Sequence, residues 1–211
     1  MISRPDDYRR NDTIVLIHGL AAPPLVMDPL ARSLRQFFAH VLNWSYPSLW
    51  SRIERHGSKL VEQLRRLDRD EAHGRIHLVG HSMGGIIVRL ALAEFVPERL
   101  GRFVMIAPPN RGSHVARRLA PYLGRICPPL TQLADHDASF VRSLPLPSIH
   151  DLGIIAAQTD FLVQEPNTRL GCEADHIVLP GLHSSLLWRS ETADQVRHFL
   201  EHGRFRRACE S

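Results

Sequence analysis

Residues 13–17 (TIVLI) form a short, almost unbroken apolar run rich in β-branched side chains, as a strand buried on both faces requires. Runs of similar character recur at 41–46, 75–79 (RIHLV), 102–107 (RFVMIA), 154–157 and 176–179. Between them the apolar positions change period. Leu30, Ala31, Leu34, Phe37 and Phe38 return at helical spacing, with Asp28 as the expected N-cap and Pro29 at the first helical position. Ile53, Leu60, Leu64 and Leu67 mark a second helix that contains Gly57. Ile87, Leu90, Ala91 and Phe95 mark a third, ending near Pro97, and Ala193, Val196 and Leu200 a last one capped by Ser190. Strands and helices in alternation imply right-handed crossovers and a largely parallel sheet of about six strands, with helices on both faces.

The pattern is irregular at about 108–150, where Pro108, Pro109, Pro121, Pro128, Pro129, Pro145 and Pro147 cut the chain into short pieces. Two or three short helices are expected there, shaping one side of a cleft but too small for a separate domain. With 211 residues and 44% hydrophobic content, one domain over 1–211 suffices. The arginine-rich tail from Gly203 is expected to fray.

One segment carries chemistry. Gly80-His81-Ser82-Met83-Gly84 matches G-x-S-x-G and lies between an expected strand and an expected helix. A sharp strand-to-helix turn holds such a serine in a strained conformation, so Gly80 and Gly84 must be small. The turn raises the hydroxyl above the carboxyl edge of the sheet, over a helix N-terminus that favours developing negative charge. The bland alternatives are a Gly-rich turn that simply starts a helix and a phosphate-binding loop, but the latter needs a lysine, and Lys59, the single lysine, is remote.

A serine hydroxyl needs a base, and the base a carboxylate to orient it. Among 13 histidines position must decide. His183 directly follows the last expected strand, whereas His176 lies within that strand, and His198 and His202 sit on the final helix as expected surface residues. Asp160 follows the strand at 154–157. Asp151 and Asp175 precede strands, at the wrong edge, and Asp135 and Asp137 fall in the irregular segment. The amides of Met83 and Leu20 are the expected oxyanion donors, with His18 and Gly19 shaping the second loop. Losing one such donor typically costs ~3 kcal/mol of transition-state stabilisation.

The remaining composition excludes more than it suggests. A net charge of +4 spread over 26 basic and 22 acidic residues describes a solvated surface rather than a nucleic-acid site. Cys127, Cys172 and Cys209 form no pair or metal motif. Cys172 and His176 would supply only two of the four ligands structural zinc needs, so no metal or other cofactor is expected. The polar first eleven residues lack a secretory pattern, which together with the cysteines leads to a cytoplasmic expectation.

At His18-Gly19, Gly80 to Gly85, Asp160 with Val163, His183 with Leu186 and Leu187, and the stretch at 107–113, the chain resembles small bacterial lipases and esterases of the α/β-hydrolase superfamily. The resemblance runs from about Thr13 to Leu200. It implies a reduced α/β-hydrolase fold without a large cap domain, Ser82 as nucleophile, Asp160 as acid, His183 as base, and an ester or lipid substrate cleaved through an acyl-enzyme. An acyltransferase or thioesterase would use the same residues, and a non-catalytic binding protein could retain the fold. Leu20, Pro23, Pro24, Leu25, Leu186, Leu187 and Trp188 are either an apolar rim facing lipid or ordinary core.

Overall fold

The computed structural model describes residues 11–147 and 149–207. The polar first ten residues and Cys209 lie outside them. Six strands, β1 (Thr13–Ile17), β2 (His40–Trp44), β3 (Ile76–His81), β4 (Leu100–Ile106), β5 (Leu152–Ala157) and β6 (Asp175–Leu179), form one sheet in the order β2-β1-β3-β4-β5-β6. All five pairings are parallel. Every residue of β1, β3 and β5 is buried, which is why those segments read as continuous rather than alternating apolar runs.

The two faces carry different helices. Helix α1 (Asp28–Leu34) and the C-terminal helix, here α8 (Ser190–His202), cover one face, where Ile14, Leu16, Val79 and Val104 meet Leu30, Leu34, Val196 and Phe199. Helices α2 (Ile53–Arg69) and α3 (Met83–Glu94) cover the other, where Val15, Ile17, Leu78 and Phe103 meet Leu60, Leu64 and Ile87. Gly57 has a packing reason: a Cβ there would stand 2.9 Å from a Leu90 methyl, so the glycine lets α2 and α3 approach closely.

The irregular segment contains three short helices, α4 (His114–Leu123), α5 (Pro128–Gln132) and α6 (Phe140–Ser143), and a fourth, α7 (Glu165–Thr168), follows β5. The Ser113 side chain caps α4 by accepting from the Ala116 amide. Gln132 ties α5 to the start of α2, accepting from the Ile53 amide at 2.8 Å and donating to Glu54 at 2.7 Å.

Four expectations need correction. Ser190 does not cap α8: it is the first helical residue, and Arg189 occupies the cap position without a side-chain capping bond. Asp28 is not an N-cap, because a 3-10 turn at Pro24–Met27 runs directly into α1; its carboxylate accepts from Asn43 on β2 instead. The tail does not fray at Gly203. That residue closes α8 in a left-handed conformation, Phe205 is buried beside Phe199, and the Phe205 amide donates to Asp175 at 2.8 Å. His198 is buried, with its Nδ1 donating to the Arg204 carbonyl at 2.9 Å, because the returning tail covers it. Among the described residues, no helix is long and apolar enough to cross a membrane.

Candidate active site

The strand order places a crevice where β1 and β3 send their chains in opposite directions, the place where open parallel sheets bind ligands. Three non-glycine residues among those described have positive φ, Ala21 (55°), Ser82 (52°) and Ala107 (48°), and each follows the carboxyl end of a strand beside this crevice. Such conformations cost ~1–3 kcal/mol each and persist only where surrounding contacts impose them.

At Ser82 those contacts are explicit. β3 passes through His81 into α3 with Ser82 as the single hinge residue, at φ 52° and ψ −123°. A Cβ on Gly80 would lie 2.6 Å from the Gly85 backbone. One on Gly84 would fall on the carbonyl oxygens of Ile17 and His18, 2.7 Å from the latter, and one on Gly19 would come within 3.0 Å of the Ser82 Cβ. The motif glycines are thus spaces for neighbouring backbone. Gly84→Ala is expected to cost at least the ~1–3 kcal/mol of an overpacked core and, by displacing the hinge, about 10²-fold in turnover. Thermal unfolding and steady-state kinetics on the same preparation check both effects.

Behind the hinge lies an ordered pair. His183 Nδ1 donates to Asp160 Oδ2 at 2.7 Å, while Asp160 Oδ1 accepts from the Leu162 and Val163 amides at 2.8 and 2.9 Å. The Asp160 side chain is 1% exposed. Burial alone would raise its carboxyl pKa. The His183 hydrogen bond and charge, together with the two amides, outweigh that and hold it below the ordinary carboxylate range. Ser82 and His183 line the same cavity, of about 380 Å³, and its walls are mainly apolar: Leu49, Leu119, Leu123, Leu130, Leu133 and Val163.

The loop after β1 is held from below. His18 is fully buried, its ring stacked on Tyr46 at 4.2 Å, its Nδ1 donating to the Gly19 carbonyl and its own carbonyl accepting from the Tyr46 hydroxyl at 2.6 Å. Burial lowers the His18 pKa, so the ring is a neutral strut. Leu20 lines the cavity, and Met83 opens α3, where its amide has no acceptor within the helix.

Three supports escape sequence reasoning. His81 donates through Nε2 to the His183 carbonyl at 3.2 Å, and the two rings lie 5.0 Å apart. Burial, then the neighbouring His183, push its pKa down to about 3, so it braces the loop without adding charge. Its place inside the motif was the available signal. Tyr46 had no signal beyond ending the run at 41–46, and Ser113, which donates to the Leu162 carbonyl at 2.6 Å, none beyond its place in the stretch at 107–113. The rejected carboxylates have other partners: Asp151 pairs with Arg102, Asp135 with Arg117, Asp137 with Arg142 and Asp175 with Arg207. Of the proposed rim, Leu186 and Leu187 are core, whereas Leu25 and Trp188 are 70% and 63% exposed.

Comparison with known proteins bears on the fold. Over a stretch of 66 residues the chain is 35% identical to a triacylglycerol lipase of Pseudomonas fragi, covering 31% of this chain and 22% of that lipase. Its fold is similar to that of lipase B from Aspergillus fumigatus, at TM-score 0.73 and 16% identity over 96% of this chain and 56% of the lipase. It is also similar to that of the type II thioesterase BorB from the borrelidin biosynthetic cluster, at TM-score 0.67 and 17% identity over 94% and 93% of the two chains. The chain thus spans under a quarter of the bacterial lipase and about half of the fungal one. Residues 14–207 match the alpha/beta hydrolase family, and the chain belongs to it.

Proposed function

We propose that the protein hydrolyses carboxylic esters with an apolar acyl group, through an acyl-enzyme on Ser82. The observation that carries this reading is the 2.7 Å hydrogen bond from His183 to a buried Asp160, beside the cavity that the hinge serine lines. Asp160 keeps the Nδ1 proton in place, leaving Nε2 of His183 free to take the Ser82 proton as the hydroxyl attacks the ester carbonyl. The Leu20 and Met83 amides hold the oxyanion of the tetrahedral intermediate. His183 then protonates the departing alcohol, and a water activated by the same ring releases the acid and restores the serine. No step calls on a metal or cofactor.

The apolar cavity favours an acyl chain over a charged substituent, and Phe161 and Tyr122, 70% and 81% exposed beside lining residues, extend apolar surface outward. A small-molecule ester or a lipid ester suits this surface. Each buried methylene contributes about 0.8 kcal/mol, so kcat/KM for p-nitrophenyl esters is expected to rise roughly fourfold per added carbon until the chain outgrows the cavity. Assay with acetyl, butyryl, octanoyl and palmitoyl esters tests this. No turnover of any ester, with no labelling of Ser82 by a fluorophosphonate, would sink the reading in favour of a binding protein. A tenfold preference for octanoyl thioester over octanoyl ester would move it to a thioesterase.

A further inference from the structure

A second open pocket, of about 350 Å³, shares no lining residue with the Ser82 cavity. Four arginines line it, Arg89, Arg111, Arg142 and Arg169, together with Asn167 and Leu170. They arrive from separate segments: α3, the turn after β4, α6 and the residue beyond α7. Hydrogen bonds to backbone carbonyls link these segments to one another. The Arg111 amide donates to the Asn167 carbonyl at 2.9 Å, Asn167 Nδ2 to the Gly112 carbonyl at 3.2 Å, and Arg142 Nε to the Arg111 carbonyl at 3.2 Å. The arginines therefore share a fixed framework.

Their charge is only partly compensated. Arg89 is 2% exposed, and its hydrogen-bond partners are all neutral oxygens: Asn110 Oδ1 at 3.1 Å, and the carbonyls of Val141, Leu144 and Pro145. Its Nε is buried without a partner. Burial lowers its pKa to about 10, which leaves it cationic at neutral pH. Among the described residues no carboxylate pairs with Arg89 or Arg111. Arg169 holds Glu165 at 2.9 Å, and Arg142 reaches the fully exposed Asp137 only at 3.5 Å. A larger cavity at the opposite strand ends, about 850 Å³, is different: there Arg99 meets Asp68, Arg102 meets Asp151 and His77 meets Asp12. Four cations against three carboxylates, Glu165, Asp137 and Glu173, the last accepting from the Leu170 amide at 3.2 Å, leave a net positive site open to a multiply charged oxyanion.

We propose that this pocket binds the phosphate group of a small organic phosphate, with Arg111 and Arg142 as its principal contacts and Leu144, Leu146 and Leu170 against the organic part. Guanidinium forks suit phosphate geometry better than a single ammonium would, and the unpaired charge favours a dianion over a monocarboxylate. Calorimetric titration of the full chain with inorganic phosphate and phenyl phosphate, at constant ionic strength, tests this. Saturable binding is expected, tighter for phenyl phosphate, and weakened about tenfold or more by Arg111→Gln and by Arg142→Gln. Both side chains are exposed, so unchanged melting midpoints in the phosphate-free variants will exclude misfolding. Arg66→Gln, on the exposed face of α2, should leave binding intact. Absence of saturation, equal binding of acetate, or an equal loss in Arg66→Gln would overturn the proposal.

Discussion

Ser82→Ala is expected to lower kcat for p-nitrophenyl butyrate by about 10⁴- to 10⁶-fold while leaving the melting midpoint nearly unchanged. The two outcomes separate because the hinge conformation, φ 52° and ψ −123°, is imposed by its neighbours. Alanine meets the same backbone cost there as serine, so only the hydroxyl is lost. Glycine would relieve the strain, and Ser82→Gly is expected to be equally inactive yet more stable by about 1 kcal/mol. A gain of stability with loss of turnover is what a residue strained for chemistry should show. Turnover within tenfold of the parent in Ser82→Ala would remove this serine from the reaction.

Asp160→Asn is the second large effect, expected at about 10⁴-fold in kcat. Asp160 Oδ1 is committed to the Leu162 and Val163 amides, and an asparagine must keep its oxygen there. Its NH₂ group then faces His183 Nδ1, which must give up its proton and become an acceptor. The ring changes tautomer, Nε2 carries the hydrogen, and nothing remains to receive the Ser82 proton. The same carboxylate sets an acid-side stability signature. Its folded pKa is depressed, so its stabilisation is complete above the ordinary carboxylate range and is lost as pH falls through the lower folded value. Denaturant titrations between pH 7 and pH 3 should show this slope in the parent and a smaller one in Asp160→Asn. Identical slopes would mean that the pair does not stabilise the fold.

Much of this was legible before any coordinates. The β1, β3 and β5 runs were readable because a strand buried on both faces has no polar face to obscure it. Ser82, Gly80 and Gly84 were readable because a hinge this tight tolerates few residue types. Asp160 and His183 were chosen among many acids and histidines because a parallel sheet sends the chain out at the carboxyl end of every strand, and only residues just past those ends can meet. Where the reading failed, the chain just before or just after the residue intervened. The fold of the tail over α8 turned His198 into a buried residue, and the turn at Pro24–Met27 took the capping role from Asp28.

What the sequence determined by itself, then, was local: the period of each segment, the hinge, and the edge of the sheet where Ser82, Asp160 and His183 come together. Tertiary structure alone decided which side chains hold that edge in place. His81 behind His183, Tyr46 beneath His18, and Arg89 joined to Asn110 and the Leu144 carbonyl are contacts across 102, 28, 21 and 55 residues. Periodicity reports how a residue sits on its own element. It carries no record of which partner, brought back by the winding of the sheet, will accept its hydrogen bond.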